Sequence, residues 1–232
     1  MEFETRVSET IQRTHDVKSL RFARPPTFGY KAGQFIFVTI KLGDEEARKP
    51  FSISSSPTET HFLEFTKKLT GHRFSIALKA LEVGGWAKIA GPHGKFTFEG
   101  EYEKIALLSG GVGITPLRSI CRYCADTQLP TKITLLYGNR SERDILFRRE
   151  FEEMQEQNKN FRAVFCVGEA SEAWDGYTGV INAEMIRKEM PDYIERVFYI
   201  CGPPTMVKVM EDLLRNLEVP EESIRVENFA GY

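Results

Sequence analysis

The stretch 104-KIALLSGGVGITP-116 joins a run of apolar residues to a glycine-rich turn and then to the signals of a helix start. A short apolar run that ends in glycine is typical of a buried strand. Thr115 is expected to cap the following helix, and Pro116 suits its first turn. Glycine stands at three positions: Gly110, Gly111 and Gly113. Residues without side chains let a ligand approach the backbone, and the free N–H groups of a helix N-terminus favour a phosphate. The stretch therefore predicts a phosphate-binding strand–turn–helix unit, with a merely tight turn as the alternative.

The rest of the second half repeats this alternation of strand and helix. Strands are predicted at 104–110, 132–139, 161–168, 196–202 and 223–229, and helices at 115–128, 144–157, 182–190 and 205–217. This order predicts βαβ units and a five-stranded parallel sheet covered on both faces. The carboxyl ends of such strands meet at a ligand crevice. Cys201, in 199-YICGPPTM-206, is expected to point into that crevice, with a buried small thiol as the alternative.

The first half has a different pattern, in which short β segments are separated by turns. Strands are predicted at 4–14, 19–25, 33–42, 50–57, 62–69, 86–94 and 95–100, with one helix at about 75–81. Many short strands and one helix predict a small antiparallel Greek-key barrel. The change of pattern places the domain boundary near residue 100, so that the two predicted domains are 1–100 and 101–232.

Length and charge limit the classes of protein that fit. The 232 residues carry 31 Lys and Arg against 33 Asp and Glu, without the dense basic footprint of a nucleic-acid binder. Residues 1–99 are the basic half, with 15 Lys and Arg against 11 Asp and Glu. No apolar run is long enough for a signal peptide or a membrane span, so we expect no membrane insertion and a cytoplasmic location. The four cysteines are interpreted as reduced thiols, and the four histidines lack the spacing of metal ligands, so no metal is expected.

The basic half contains an unusual short segment, 48-RKPFSISSSP-57, in which two cations precede an aromatic ring and a row of hydroxyls. A cationic pair with nearby hydroxyls can bind a pyrophosphate, and the ring of Phe51 can pack on another flat ring. A second segment, 71-GHRFS-75, precedes the helix of this half and supplies another helix N-terminus for a phosphate. Each half is therefore predicted to hold a phosphorylated cofactor.

Five motifs in this order resemble the ferredoxin–NAD(P)⁺ reductase-like flavoproteins. They are K-P-F-S at 49–52, G-x-x-F-S at 71–75, G-P-x-G-K at 91–95, G-G-x-G-x-x-P at 110–116 and C-G-P-P at 201–204. The resemblance extends over essentially the whole chain. It implies an FAD-binding barrel followed by a nicotinamide-nucleotide domain.

The resemblance also implies roles for residues on the flavin side. Lys49 would hold an FAD phosphate, Phe51 would lie along the flavin, and the Ser52 hydroxyl would bond near its reactive nitrogen. Ser75 and its neighbours would hold the pyrophosphate. The implied flavin-side set is Arg48, Lys49, Pro50, Phe51, Ser52, Thr66, Lys67, Lys68, Arg73, Phe74 and Ser75.

On the nucleotide side, the resemblance implies that the glycine turn cradles a pyrophosphate and that Cys201 lies near the nicotinamide. The implied set is Gly110, Gly111, Gly113, Thr115, Pro116, Asn139, Arg140, Cys201, Gly202, Pro203 and Pro204. Glu227 and Tyr232 resemble a tail that reaches the flavin in some members. The residues implied to take part in the chemistry are Ser52, Cys201, Glu227 and Tyr232.

Two positions depart from the family pattern, and the choice of nucleotide stays open. Lys49 stands where the family has arginine, and Phe51 where it has tyrosine. The site therefore lacks a bidentate guanidinium and a tyrosine hydroxyl that would bind the cofactor. Arg140 and Arg143 could meet a 2′-phosphate or be ordinary surface arginines. Glu169, after the third strand, would repel that phosphate. NADH and NADPH are therefore both possible co-substrates.

The implied activity is that of an FAD-dependent oxidoreductase that moves a hydride between NAD(P)H and bound flavin. Electrons would then leave singly to a separate carrier, such as ferredoxin, flavodoxin or an oxygenase component, because the sequence has no C-x₄-C-x₂-C cluster motif. One alternative is a reductase that uses free flavin as a substrate, which the segment 71-GHRFS-75 disfavours. Another is an electron-transfer subunit of a larger complex, which the lack of cysteine after Cys201 disfavours.

Overall fold

The computed structural model describes residues 1–229, which form two six-stranded sheets, one after the other along the chain. The first sheet is antiparallel, in the order β4-β3-β6-β1-β2-β5. Its elements are β1 Glu2–Thr14, β2 Val17–Ala23, β3 Phe35–Leu42, β4 Glu45–Ser52, β5 Phe62–Lys68, α1 Arg73–Ala80 and β6 Trp86–His93. An antiparallel bridge between Ile53 and Phe65 joins the two end strands and closes the barrel. The predicted antiparallel barrel with one helix is confirmed.

Strand alternation explains how the barrel is filled. Along β3, Ile36, Val38 and Ile40 are buried in the interior, while the intervening side chains face outward, as the period of two requires. Helix α1 covers one mouth. The ammonium of Lys18 donates hydrogen bonds to the carbonyls of Lys79 (3.2 Å) and Leu81 (2.8 Å) and so binds the carboxyl end of α1 to the barrel wall.

The second sheet is parallel and has the order β10-β9-β8-β7-β11-β12. Its strands are β7 Lys104–Gly110, β8 Lys132–Ser141, β9 Phe161–Glu169, β10 Tyr177–Thr178, β11 Val197–Gly202 and β12 Ile224–Asn228. Its helices are α2 Ile114–Asp126, α3 Arg148–Gln157, α4 Ala183–Glu189 and α5 Pro204–Asn216. Helices α2 and α3 pack in one core and α4 and α5 in another, so both faces are covered. The predicted parallel sheet is confirmed, with the two-residue β10 as a sixth strand that periodicity could not indicate.

The strand predicted at 50–57 is displaced, because β4 runs from Glu45 to Ser52. Two further local predictions from the sequence are wrong. Residues 95–100 form no strand, although aromatic residues alternate there. The rings of Phe96 and Phe98 instead pack on Tyr199 of β11, and the Tyr199 hydroxyl donates to the Thr97 carbonyl at 3.0 Å. This segment therefore fastens the barrel to the second sheet.

The other error concerns the start of α2. Thr115 lies inside the helix, where its hydroxyl donates to the carbonyl of Val112 at 3.2 Å. The cap position is held by Gly113, because a turn of 3-10 helix at Gly111–Gly113 runs directly into α2.

In the described residues 1–229, no helix is long and apolar enough to cross a membrane.

Gly33 provides a test of the loop that leads into β3. Its φ is +96°, and a Cβ placed there would lie 2.1 Å from the carbonyl oxygen of Phe96. We expect Gly33→Ala to lower the free energy of unfolding by about 3 kcal/mol, because both the backbone conformation and the contact become strained. Urea unfolding measures this. Gly29→Ala is the control, since a Cβ at Gly29 meets nothing within 4 Å. Equal losses in the two variants would contradict the prediction.

Candidate functional site

The glycine turn after β7 lies at the carboxyl edge of the parallel sheet, next to the end of β11. A Cβ on Gly113 would be 2.4 Å from the Cα of Gly202, so this close approach of two backbones requires glycine. The hydroxyl of Ser109 donates to the Cys201 carbonyl at 3.1 Å, and that of Tyr137 donates to the Gly111 carbonyl at 2.8 Å. The turn is thus held firmly, while the space in front of Gly111 is open.

A cavity of about 1090 Å³ opens at this edge, between the second sheet and the β1–β2 turn of the barrel. Of the predicted residues it brings together Gly110, Gly111, Asn139, Arg140, Pro203 and, from the barrel, Lys68. Its size suits a dinucleotide-sized ligand, and its place agrees with the rule that open α/β sheets bind ligands at strand carboxyl ends.

The sequence reasoning missed two walls of this cavity. Thr14–Val17 form the barrel side, and an apolar strip forms the other, with exposed Val180 and Val209 beside Ile181 and Met206. These residues come from loops and helices that are far apart along the chain. No local sequence pattern indicated these walls, because the exposure of Val180 and Val209 becomes evident only in the folded structure.

Charged groups at the cavity rim are already paired with one another. The Arg140 guanidinium contacts the Glu169 carboxylate at 3.1 Å, and Lys68 contacts Asp16 at 3.2 Å. Arg143 also lines the cavity. Any phosphate at the Arg140 side would therefore lie next to the carboxylate of Glu169.

Three lysines of the barrel, Lys49, Lys67 and Lys68, lie close enough for their charges to interact. Lys67 is only 9% exposed, and burial together with the charges of Lys49 and Lys68 lowers its pKa to about 8. The hydroxyl of Ser75 in α1 accepts a hydrogen bond from the Thr70 amide at 2.7 Å and fixes the loop that leads into the helix. Neighbouring cations of this kind fit an anion such as a diphosphate, which would reduce their repulsion.

Phe51 lies deeper than its predicted role suggests. Its ring is 7% exposed, stacks on Phe65 with centroids 4.6 Å apart, and contacts Phe74 at 5.7 Å. It belongs to the barrel core, so only a small part of it can meet a ligand. Its alignment along a flavin stays a prediction.

Ser52 of the barrel contacts Glu227 of the second sheet, whose carboxylate has a buried oxygen. The Ser52 hydroxyl donates to Oε1 of Glu227 at 3.4 Å, and no described residue bonds to the buried Oε2. Burial raises the pKa of Glu227 to about 7, although the Ser52 bond lowers it somewhat. Cys201 pairs with Glu227 across β11 and β12, and burial, then the Glu227 charge, raises the pKa of its thiol. The unpaired oxygen marks a place that a polar ligand atom can fill.

The remaining hydroxyls of 48-RKPFSISSSP-57 do not face a ligand. Ser54, Ser55 and Ser56 are fully buried, and all three bond within the protein. Thr66 is engaged similarly, with its hydroxyl 2.7 Å from that of Ser19 and 3.0 Å from that of Ser54. These hydroxyls are buried where the barrel meets the second domain, and no local sequence pattern predicts that burial.

The other predicted residues take varied places. The Arg48 guanidinium lies over the Phe37 ring at 4.4 Å, and Arg73 is exposed and pairs with Glu45 at 3.4 Å. Lys49 and Pro50 are exposed on β4, whereas Thr115 and Pro116 are buried in α2. Tyr232 lies outside the described residues.

Two family models match the chain in succession. Residues 4–98 match an oxidoreductase FAD-binding domain, and residues 107–212 match an oxidoreductase NAD-binding domain. Both matches agree with the two sheets seen in the structure.

Curated relatives share this organisation. The chain is 33% identical over 219 residues to a glycine betaine monooxygenase reductase subunit of Chromohalobacter salexigens, covering 91% of this chain and 60% of that protein. The chain thus spans about three fifths of the length of these relatives. It is 29% identical over 238 residues to NADH-cytochrome b5 reductase 3 of Rattus norvegicus, covering 88% of this chain and 78% of that protein.

The fold also matches solved structures. The cytochrome b5 reductase domain of Ulva prolifera nitrate reductase superposes with a TM-score of 0.86 at 23% identity, covering 98% of this chain and 97% of that one. With the ordered motifs, the two family models and the two-sheet architecture, the chain belongs to the ferredoxin–NAD(P)⁺ reductase-like flavoprotein family.

Proposed function

We propose that the protein is an FAD-dependent reductase that takes a hydride from a nicotinamide nucleotide and passes electrons singly to a separate acceptor. The observation that carries this proposal is the contact of Ser52, from the barrel, with Glu227, on β12 of the parallel sheet, whose buried Oε2 has no bond from a described residue. The barrel offers cations for one diphosphate, and the glycine turn offers backbone N–H groups for another.

The residues present fit an FAD on the barrel side. Lys49, Lys67 and Lys68 would bind its phosphates with the N-terminal turn of α1, and Ser52 would face its ring. Burial and the charges of Lys49 and Lys68 lower the pKa of Lys67, so an anion beside these cations would reduce their mutual repulsion. When bound, a flavin accepts two electrons as a hydride and releases them one at a time.

Protein groups hold and move the proton that accompanies this chemistry. Glu227, with a pKa of about 7, can be protonated or ionised near neutrality. The Ser52 hydroxyl, at the end of β4 and 3.4 Å from Oε1 of Glu227, can relay a proton between this carboxyl group and a ligand of the barrel. Oε2 of Glu227 is inaccessible to solvent in the described residues, which favours proton exchange with a bound ligand over direct exchange with bulk water.

NADH is proposed as the reductant. Glu169 is the last residue of β9 and lines the cavity together with Arg140. Its carboxylate already engages Arg140 at 3.1 Å, which leaves that guanidinium less available to a 2′-phosphate. A doubly charged phosphate beside Glu169 would be repelled.

The acceptor is proposed to be an oxygenase component or a small one-electron carrier such as ferredoxin or flavodoxin. The relative from Chromohalobacter salexigens is a monooxygenase reductase subunit, and the basic balance of residues 1–99 suits an acidic carrier. A cytoplasmic location stays a prediction from the sequence. A reductase of free flavin is the alternative, and the partly replaced flavin motif at Lys49 and Phe51 is the observation that favours it.

An anaerobic titration of the purified protein tests the function. We expect the protein to be yellow as isolated, and NADH to bleach its flavin absorbance at lower concentrations than NADPH does. A colourless protein that consumes NADH only when free flavin is added would support the alternative. Absence of any reduction with bound or added flavin would reject both.

Glu227→Gln tests the raised carboxyl pKa through stability. Below about pH 4.5 Glu227 is neutral in the folded and unfolded states and has no effect on their balance. Between about pH 4.5 and 7 the unfolded chain loses the proton first, so the folded state is progressively destabilised. We expect Glu227→Gln to be more stable than the parent by about 3 kcal/mol at pH 8 and by little at pH 4.5 in urea unfolding without cofactor.

The exposed Glu221→Gln is the control for this measurement, and it should show no such pH-dependent difference. A parent and a Glu227→Gln variant that unfold with the same difference at both pH values would contradict the assignment of a pKa near 7.

Glu169→Ala tests the nucleotide preference. Removal of the carboxylate frees Arg140 and abolishes the repulsion of a 2′-phosphate, so kcat/KM for NADPH should rise roughly tenfold relative to that for NADH, equivalent to ~1.4 kcal/mol. Steady-state rates with both nucleotides measure the ratio. Glu172→Ala, an exposed acid outside the cavity wall, should leave it unchanged. An unaltered ratio in Glu169→Ala would reject the role of this residue.

A further inference from the structure

Five charged side chains meet where the barrel touches the second domain, and together they form the junction network: Arg13, Glu59, Glu64, Arg118 and Glu150. Arg118 and Glu150 come from α2 and α3, whereas the other three come from the barrel. Arg13 contacts Glu64 at 3.0 Å and Glu150 at 3.1 Å, and Arg118 contacts both Glu59 and Glu150. Ion pairs therefore cross the domain boundary at two places.

Arg118 is the most completely bound member of this network. Its side chain is 3% exposed, and its five N–H donors match five acceptor contacts. Nε and Nη2 donate to Glu150, Nη1 and Nη2 to Glu59, and Nη1 also to the Ser54 carbonyl at 3.0 Å. Burial would lower the pKa of this guanidinium, but hydrogen bonds to Glu59 and the charges of Glu150 and Glu59 raise it.

Ser54 accepts a hydrogen bond from Arg118 and is itself bonded to a residue of the barrel. Its hydroxyl donates to Glu64 at 2.9 Å, while its carbonyl accepts from Arg118. Next to it, the Ser55 carbonyl accepts from the hydroxyl of Ser119 at 2.6 Å. Two consecutive residues of α2 thus bind two consecutive carbonyls of the segment that follows β4.

These contacts join the two halves of the candidate site by a very short route. Ser52, which contacts Glu227, lies two residues before Ser54 along the same segment. Arg118 lies four residues after Ile114, where α2 begins behind the glycine turn, which is ~6 Å of helix. One hydrogen-bonded step therefore connects the strand that faces the flavin side to the turn that faces the nucleotide.

We propose that Arg118 is a positioning residue that sets the placement of the nucleotide turn relative to the Ser52 strand. Its effect on the reaction rests on the proposed function, whereas its effect on domain placement does not. Hydride transfer requires the two reacting rings to be in contact and aligned, and a misplacement of about 1 Å can cost 10²-fold in rate. An apolar contact would hold the domains together without fixing their orientation, since burial is non-directional.

Arg196 provides a matched comparison, because it is also a buried arginine with several bonds. Its guanidinium donates to the Ile105 carbonyl (3.1 Å), the Thr134 hydroxyl (3.1 Å) and Asp192 (2.7 Å). All of these partners belong to the second domain. Lysine at either position keeps the charge but has three donors in place of a planar five-donor fork. Both variants lose internal bonds, yet only Arg118→Lys loses bonds between domains.

The first experiment measures domain placement without any cofactor. Spin labels at Asp44→Cys in the β3–β4 turn and Lys208→Cys in α5 are both on exposed positions, and the four native cysteines are buried. Pulsed electron resonance should give one narrow distance distribution for the labelled parent and for Arg196→Lys. Arg118→Lys should give a broadened or shifted distribution. Equal distributions in all three would overturn the proposal.

The second experiment measures the consequence for chemistry in the FAD-loaded protein. Arg118→Lys should lower the rate constant of flavin reduction at saturating NADH at least tenfold, with the NADH dissociation constant within about threefold of the parent value. It should also weaken the long-wavelength absorbance that overlapping flavin and nicotinamide rings give. Arg196→Lys should stay within about twofold of the parent rate while losing thermal stability. A rate loss in Arg118→Lys no larger than in Arg196→Lys would overturn the catalytic consequence.

Ser119→Ala keeps the proposal testable if Arg118→Lys does not fold. This variant removes one hydroxyl and one bond across the junction and should broaden the label distance and slow reduction to a smaller extent. Unchanged distance and rate in Ser119→Ala, with Arg118→Lys unfolded, would count against positioning and in favour of general stability. If the parent itself is never reduced by a nicotinamide nucleotide, the proposed function fails, while the distance measurement still decides the role of Arg118.

Discussion

The guanidinium of Arg118 binds three partners on two domains, and the arrangement of the whole site depends on that contact. A buried charge is costly unless each of its donors is satisfied, and here carboxylates from both sides and a backbone carbonyl satisfy them. Such bonds are directional, so they specify one orientation of the barrel against the parallel sheet. The cavity at the carboxyl edge of the parallel sheet and the pair formed by Ser52 and Glu227 both lie along the boundary between these two parts.

Charge is distributed differently on the two sides of that boundary. The barrel brings Lys49, Lys67 and Lys68 within range of one another's charge, so a diphosphate beside them would reduce repulsion between cations. The cavity on the second domain instead keeps its rim charges paired, with Glu169 close to Arg140. Between the two, Glu227 is buried enough for its pKa to approach neutrality. Under the proposed function, this order would give each phosphorylated ligand its own anchor, with a titratable group where the reacting ends would meet.

Much of the fold could be predicted from local patterns, and the exceptions have physical reasons. The strand and helix periodicity of the second half gave the parallel sheet, but the two residues of β10 are too few to show any period. The alternating aromatic residues at 95–100 have the pattern of a strand, yet Phe96 and Phe98 are buried against Tyr199 of the other domain. Thr115 has the chemistry of a helix cap, but the 3-10 turn before it starts the helix earlier. In each case a contact distant in the chain, or an element too short for statistics, overrode the local preference.

The sequence by itself determined the two-domain order, the glycine turn and the family, because these depend on residues close together in the chain with fixed spacing. It also indicated that the segment 48–57 is unusual, but predicted that its hydroxyls bind a ligand. Only the tertiary structure decided that Ser54, Ser55 and Ser56 are buried at the junction, where Ser54 and Ser55 receive bonds from Arg118 and Ser119. It likewise decided that the carboxylate of Glu227 contacts Ser52 of the barrel and has a buried oxygen. Burial and pairing are properties of surfaces brought together by folding, and residues that are more than 60 positions apart carry no local signal that they will meet.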